Sequence, residues 1–336
     1  MFKVPPHQSS VLVTGGNGFI GQHMCRFLHE KAIKVHIVDN FSSSPKRELH
    51  QYGEYHNVDI SDASRIKKIL RDNKIEAVFH FAAKCLVGES QLKPFYYYQE
   101  NVVKTLSLLD SCVEVGVRKF IFSSTCATFG LSEGNLPLNE NHPQKPLNTY
   151  GYSKLLMEKI MTDLSSKNLL DVVIFRYFNA AGCSVDGELG ENHDPETHLI
   201  PNICLNLLNP NLHPLKIFGN DYETRDGTCI RDYIHVLDLV RAHYLALNFL
   251  NSPEGKGIHD FNLGTESGAS NLEVIKVFEE VTGKKVNYSF APRRPGDPPI
   301  LVGDSKKVQK ILKFTPEFTL SQMILHTWNY FSNKKI

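Results

Sequence analysis

A tyrosine and a lysine stand four residues apart in Tyr150-Gly151-Tyr152-Ser153-Lys154, where an apolar helical pattern begins. On a helix, residues i and i+4 share a face. The Lys154 ammonium is therefore expected beside the Tyr150 hydroxyl, where its charge favours the phenolate. A phenol adjusted in this way can accept a proton near neutral pH, which makes Tyr150 a candidate general base. So short a pattern also opens many ordinary helices, and its meaning rests on what the rest of the chain supplies.

The elements that must position this pair begin at the N-terminal end. Residues 10–14, Ser-Val-Leu-Val-Thr, read as a strand that breaks into Gly15-Gly16-Asn17-Gly18-Phe19-Ile20-Gly21 and continues as a helix to about Lys31. A second apolar run, Val35 to Val38, ends in Asp39. Strand, glycine-rich turn, helix, strand and terminal acid make a dinucleotide-binding unit. Gly15 and Gly16 permit the tight turn, Gly18 lets the backbone approach a pyrophosphate, and Gly21 lets helix and strand pack closely. The leading N–H groups of the helix then face the phosphates. Asp39, eighteen residues past Gly21, is placed to accept ribose hydroxyls and to repel a 2′-phosphate, so NAD is expected rather than NADP.

Further strands are expected around 55–58, 77–82, 119–123 and 171–178, separated by helices. This rhythm predicts an α/β fold: a doubly wound parallel (Rossmann) sheet with a smaller C-terminal α/β substrate domain. The expected division is 1–180 for the dinucleotide, with about 230–263 also contributing, and 181–336 for the substrate. Ligands bind at the carboxyl ends of such strands. Asp59, the stretch Lys84 to Ser90, Ser123-Ser124-Thr125 and Asn179 all fall at those ends. Thr125 thus shares an edge of the sheet with the start of the Tyr150 helix, although Ser and Thr also form plain turns.

Two helical stretches carry broad apolar arcs. Between Tyr96 and Val115, Val102, Leu106, Leu109 and Val113 form one stripe with Val103 and Leu108 off it; after Tyr150 come Leu155, Leu156, Met157, Ile160, Met161 and Leu164. An arc wider than one core-facing stripe suggests a second contact or deep burial in one subunit. Beyond Asn179 the chain turns polar and acidic, then mixes short strands, helices and loops. Arg231 and Arg294 sit in loops there, and a guanidinium is a natural partner for phosphate.

Composition excludes several classes. The formal net charge of +1 offers no electrostatic case for nucleic acid or a membrane surface, and no stretch is apolar for the length a bilayer requires. The opening MFKVPPHQSS lacks the pattern of a secretory leader, so a cytoplasmic location is expected. Seven scattered cysteines contain no CxxC pair, which fits reduced thiols. The fifteen histidines form no HExxH or Cys/His ligand spacing, and no structural metal is expected.

Together these residues resemble the sugar-nucleotide epimerases of the extended short-chain dehydrogenase/reductase family. The resemblance runs nearly end to end. It is carried by TGGNGFIGQH (14–23), VDN (38–40), HFAA (80–83), VGES (87–90), SSTCATFG (123–130), YGYSK (150–154), RYFNAAG (176–182), HLIPN (198–202), IFGNDYETRDGTCIRDYIHVLDL (217–239), FNLGTESG (261–268) and RRPGD (293–297). It implies an NAD-dependent 4-epimerase that interconverts UDP-galactose and UDP-glucose through a transient 4-keto sugar. A UDP-N-acetylhexosamine 4-epimerase, or an enzyme of both specificities, is the alternative. In that chemistry Tyr150 takes the proton of the sugar 4-hydroxyl, Thr125 hydrogen-bonds the same oxygen, and Lys154 holds the nicotinamide ribose and lowers the Tyr150 pKa.

Carried over motif by motif, the resemblance implies cofactor contacts from Gly15, Gly18, Phe19, Ile20 and Gly21, then from Asp39 and Asn40. Later strand ends supply Asp59, Ile60, Phe81, Ala82 and Asn101, and the catalytic side supplies Tyr150, Lys154 and Tyr177. The UDP anchor implied is Asn179, Leu199, Phe218, Arg231, Arg294 and Asp297, which holds the nucleotide while the hexose turns over. A homodimer through the helices at about 95–115 and 150–166 is also implied.

Two positions depart from the family. Relatives often carry a lysine just before VGES that reaches the NAD pyrophosphate; here Cys85 occupies that place and Lys84 precedes it. A thiol cannot supply the charge. Four residues past the aspartate of RRPGD, a tyrosine restricts the sugar site and a small residue admits N-acetylhexosamines; Leu301 is intermediate and leaves both open. Competing chemistries fare worse. Nucleotide-sugar dehydratases need an acid–base pair directly after the threonine, but Cys126 and Ala127 follow Thr125. A decarboxylase would need a carboxylate-recognising pocket, of which the sequence gives no sign. A binding-only protein on the same fold has no use for Thr125, Tyr150 and Lys154 together.

Overall fold

The computed structural model describes residues 10–43, 50–131, 137–191, 193, 195–294 and 296–334. Residues 1–9, read above for a leader, and Pro295 of RRPGD lie outside the described residues. Ser10–Thr14 (β1) is buried along its whole length, as a strand covered on both faces must be. It leads through the glycine turn into Phe19–Glu30 (α1), then Lys34–Asp39 (β2), Glu54–Asn57 (β3), Ala63–Asp72 (α2) and Ile75–His80 (β4). Val87–Leu92 (α3), Pro94–Tyr98 (α4) and Lys104–Val115 (α5) follow, with a π-helical turn at Gln99–Val103 joining the last two. Lys119–Thr125 (β5), Thr149–Ser166 (α6) and Asp171–Tyr177 (β6) complete the first part.

The second part opens with Asn179–Ala181 (β7), Leu199–Leu208 (α7), Leu215–Phe218 (β8), Ile230–Arg231 (β9) and Tyr233–His235 (β10). The chain then returns to the main sheet through Val236–Leu250 (α8) and Ile258–Leu263 (β11). Ala269–Ser270 (β12), Asn271–Thr282 (α9), Tyr288–Ala291 (β13), Ile300–Leu301 (β14), Lys306–Leu312 (α10) and Leu320–Asn333 (α11) finish it.

The seven-stranded sheet runs β11-β6-β5-β4-β1-β2-β3, and every pair is parallel. The order reverses between β1 and β4, which opens a crevice at their carboxyl ends. Alternation along each strand feeds two cores. Val11 and Val13 join Met24 and Leu28 of α1 and Leu239 and Leu247 of α8 on one face, whereas Leu12 joins Ile66 of α2, Leu108 of α5 and Met157 of α6 on the other. A third cluster, including Ile200, Ile203, Val274, Phe278, Ile324 and Phe331, builds the smaller lobe around α7, α9 and α11. α11 is one element the sequence reading passed over.

The helix stripe expected between Tyr96 and Val115 is rotated from its predicted face. Leu106 is 39% exposed and shares the outer side with Val103, while Leu108 is fully buried. The cause is a polar residue in the core: Thr105 is buried and its hydroxyl bonds His80 Nε2 at 3.0 Å, so an apolar count misplaces the inward arc.

Candidate active site

The crevice between β1 and β4 is an open cleft lined by Gly15, Gly18, Asp39, Asn40, Asp59, Ile60, Phe81, Ala82 and Lys84, among others. Gly15 has φ +69°, and a Cβ there would lie 2.6 Å from Ala82 N. At Gly21 a Cβ would meet the Gly15 carbonyl oxygen at 2.1 Å, so Gly15 requires glycine for conformation and contact and Gly21 for contact alone. Gly18 caps α1 without a side chain, and no acid occupies the first turn, which presents the leading N–H groups at Phe19 and Ile20 to an anion.

Asp39 ends β2. Its carboxylate accepts the backbone N–H of Asn17 at 2.9 Å and of Phe41 at 2.8 Å, which ties the glycine turn to the strand end. Burial raises its pKa, and those two N–H groups with the Lys84 charge oppose the rise. Asp59 is held by Asn40 Nδ2 at 2.7 Å and by Lys104 Nζ at 2.8 Å. Burial works against the ionised form there, but these bonds prevail and hold Asp59 well below the usual carboxylate range. Lys84 reaches across the cleft, its Nζ 2.5 Å from Ser43 Oγ and 3.3 Å from the Ser42 carbonyl oxygen. Asn101 spends its side chain internally. It accepts Lys84 N–H at 2.8 Å and donates to the Lys84 carbonyl at 2.9 Å and to Ser153 Oγ at 3.0 Å, linking the loop after β4 to α6.

Three of the predicted residues meet at the next strand ends. Thr125 closes β5 and pairs in register with Tyr177 of β6. Tyr150 lies in the first turn of α6, whose N-cap, Asn148, accepts Gly151 N–H at 2.8 Å. Asn148 was legible as a capping residue before an apolar run but was not singled out. Burial pushes the Tyr150 phenol up first, the Cys85 sulfur adds to the rise, and a hydrogen bond with the Thr125 hydroxyl opposes it. Lys154 differs from expectation. Its ammonium donates to the Ser123 carbonyl at 2.7 Å and sits 4.8 Å over the Phe122 ring, and burial lowers its pKa to about 8. The phenol pKa is therefore raised in the free chain rather than lowered, because desolvation of a charged phenolate outweighs its neighbours. Tyr177, expected at the cofactor, directs its hydroxyl to Ser123 Oγ.

Beneath this group lies a charged network that the motifs did not reveal. Glu158, one turn beyond Lys154 on α6, is 3% exposed and accepts Arg176 Nη2 at 2.6 Å, Gln144 Nε2 at 2.8 Å and the Ser124 hydroxyl. Arg176 continues to Asp260 at 2.9 Å. These bonds fasten α6 to β5, β6 and β11, and so fix where Tyr150 stands.

The predicted nucleotide anchor assembles from distant segments. Arg231 of β9, 9% exposed, donates from Nη2 to Asp297 at 2.5 Å and from Nη1 to the Ile230 carbonyl at 2.8 Å. Arg294 is exposed and stacks its guanidinium 4.1 Å over the Phe218 ring. Asn179 sits in β7, its N–H on the Asp232 carbonyl at 2.9 Å, and Leu199 is the first residue of α7. Leu301 of β14 lies beside Arg231 in register and packs with Cys126, Phe129, Leu138 and Phe178. The Arg231 charge is also felt at Cys126, next to Thr125. Asp232, buried, accepts N–H groups of Thr265, Glu266 and Gly303 and holds these loops together.

The sequence profile described as "NAD dependent epimerase/dehydratase family" matches residues 11–264. The chain is 44% identical over 322 residues to the UDP-glucose 4-epimerase of Halalkalibacterium halodurans, covering 96% of this chain and 95% of that protein. The crystal structure of UDP-glucose 4-epimerase from Brucella ovis in complex with NAD superposes with a TM-score of 0.91 at 41% identity, covering 96% and 98% of the two chains. That of the Bifidobacterium longum enzyme with NAD+ and UDP gives 0.91 at 35% identity, with the same coverages.

Proposed function

The chain belongs to the NAD dependent epimerase/dehydratase family, and from that footing we infer that it is an NAD-dependent isomerase interconverting UDP-galactose and UDP-glucose. The observation that carries this most is the meeting of Thr125 and Tyr150 between a dinucleotide cleft on one side and the Arg231–Asp297 pair on the other. The cleft fits NAD: a Cβ at Gly15 or Gly21 would collide with backbone, and an acid ends β2. Gly15, Gly18, Phe19, Ile20 and Gly21 would hold the pyrophosphate, with the Lys84 ammonium supplying the charge that Cys85 lacks. Asp39 and Asn40 would hold the adenosine ribose, and Asp59, Ile60, Phe81, Ala82 and Asn101 the remaining walls. When bound, NAD supplies a hydride acceptor that later returns the same hydride, so the substrate undergoes no net oxidation.

The chain's own residues handle the proton and the geometry. Tyr150 takes the proton of the sugar 4-hydroxyl, and Thr125 hydrogen-bonds that oxygen as its charge changes. Burial holds Tyr150 protonated in the free chain, so its base strength has to arrive with the bound ligands. Lys154 is pinned to the β5 backbone at Ser123, whose hydroxyl meets Tyr177, and Lys154 and Tyr177 would both contact the nicotinamide end of the cofactor. Arg231, Arg294 and Asp297, with Asn179, Leu199 and Phe218, would hold the UDP end while the hexose turns over. Leu301 is 8% exposed and wedged among aromatic neighbours, which supports a wall that cannot retreat for an acetamido group and favours the glucose/galactose pair over N-acetylhexosamines.

Residues 1–180 with about 230–263 serve the dinucleotide and the remainder the UDP-sugar in this reading. Exposed Tyr152 and Leu156, one turn apart on α6, and exposed Phe95, Val103 and Leu106 on α4 and its continuation support a homodimer through these helices. No described helix is long and apolar enough to cross a membrane. All seven cysteines are free thiols, which supports a reducing, cytoplasmic setting. The test is conversion of UDP-galactose, read by a coupled UDP-glucose dehydrogenase, with UDP-N-acetylgalactosamine run in parallel by chromatography. Conversion of the first alone is expected. Failure with both in protein shown to hold NAD would refute the assignment.

A further inference from the structure

Between β7 and α7 the chain carries Glu191, His193, Glu196 and His198, whose spacing matches no short ligand motif. Folding brings one donor atom from each to within 4.8 Å of the other three. Glu191 is 3% exposed and the Glu196 side chain 5%. Glu191 Oε1, His193 Nδ1, Glu196 Oε2 and His198 Nδ1 are all sealed from solvent, and none of the four makes a hydrogen bond. They approach one another instead: His193 Nδ1 lies 3.1 Å from Glu191 Oε1 and 3.7 Å from Glu196 Oε2, and His198 Nδ1 lies 2.5 Å from Glu191 Oε1. Four buried polar atoms aimed at one point without hydrogen bonds are costly unless something sits among them.

We propose that Glu191, His193, Glu196 and His198 form a structural zinc(II) site that staples the loop after β7 to the start of α7. Two imidazoles and two carboxylates are a donor set that zinc accepts. At bond lengths of about 2.0–2.2 Å, a tetrahedral ion spaces its ligands roughly 3.2–3.6 Å apart; the 3.1 and 3.7 Å separations at His193 flank that range, and the 2.5 Å between His198 and Glu191 would have to open to admit the ion. The supporting bonds are also in place. Glu196 Oε1 accepts the N–H groups of Thr197 at 2.7 Å and His198 at 2.9 Å, which turns Oε2 toward the cluster. With four protein ligands the site has no open position, so it holds structure and does no chemistry. Its place is pertinent nonetheless: His198 is the N-cap of α7, and Leu199, assigned above to the UDP end, comes next. The other histidine cluster, His36, Glu54 and His56, lacks this character, since His36 Nδ1 and His56 Nε2 hydrogen-bond each other at 3.1 Å.

The test uses the full, untagged, NAD-loaded chain, stripped with a chelator, returned to Zn²⁺ and passed through a desalting column. Elemental mass spectrometry should then find one zinc per chain. Co²⁺ in its place should give the intense visible absorption of a four-coordinate site. His193→Gln and Glu196→Gln should each weaken Zn²⁺ binding by at least about 100-fold, the upper range for disturbing merely a ligand's supporting bonds, while NAD stays bound. Chelation should lower the melting temperature of the wild type and leave the variants unmoved. Wild-type protein that retains no zinc and shows no cobalt spectrum would overturn the site, whatever the variants do. Retention that survives both substitutions would overturn it equally.

Discussion

Replacing Glu158 by alanine isolates the charged network under α6. In the native chain the Glu158 and Arg176 side chains are 4% and 5% exposed and 2.6 Å apart. Removing the carboxylate strands a buried guanidinium, a defect that costs about 3–5 kcal/mol. Arg176 keeps Asp260 at 2.9 Å, which places the loss near the lower figure. At about 2.1 cal/mol/K of unfolding entropy per residue, a loss of ~3 kcal/mol lowers the melting temperature of a chain this long by roughly 4 °C. The loosened α6 should also cost turnover, because Tyr150 and Lys154 ride on it. Calorimetry with saturating NAD, beside the coupled UDP-galactose assay, reads both. Glu158→Gln retains the hydrogen bonds to Ser124 and part of those to Arg176 and should fall between wild type and alanine. Pairing Glu158→Met with Arg176→Leu removes both charges and should recover stability relative to Glu158→Ala. If Glu158→Ala melts within 1 °C of wild type, or the apolar pair is no better than the single variant, the claim that this ion pair fixes α6 fails.

Tyr150→Phe should lower kcat by roughly 10²–10⁴ and leave NAD bound, as judged by cofactor released on denaturation; wild-type turnover would remove Tyr150 as the base. Lys154 has its pKa lowered to about 8, so the free enzyme loses that charge as pH rises through 8. The kcat/KM profile should descend there, and Lys154→Arg should shift the descending limb upward. The same shift destabilises the fold. Between 10.5 and 8 the unfolded chain binds the proton and the folded chain does not, so stability falls as pH drops through that window and the penalty is complete below 8. Arg231→Lys keeps the charge but not the forked contacts to Asp297 and Ile230, and the loss of a charged hydrogen bond worth about 1.5–3 kcal/mol should raise KM for UDP-galactose roughly 10- to 100-fold with little change in kcat.

Local sequence determined the dinucleotide unit almost completely. Gly15, Gly18, Gly21 and Asp39 act through backbone conformation and through contacts largely inside one strand–turn–helix–strand unit, and such requirements are written in residue type and spacing; the approach of Gly15 to Ala82 is the long-range exception. The seven parallel strands were each legible to within a few residues of their ends, most of them from the apolar run that a buried strand needs, although β3 is polar and only part-buried. Tertiary structure alone decided the rest. That Thr105 faces the core, that Lys154 turns to Ser123, and that burial raises the Tyr150 phenol depend on which surfaces close over these groups, and no linear pattern carries that information. The Glu158–Arg176–Asp260 network joins residues 18 and 84 positions apart, and Glu191, His193, Glu196 and His198 converge only when the loop folds back on α7. Electrostatic character follows from desolvation and from neighbours across the sheet, and both come into being only with the fold.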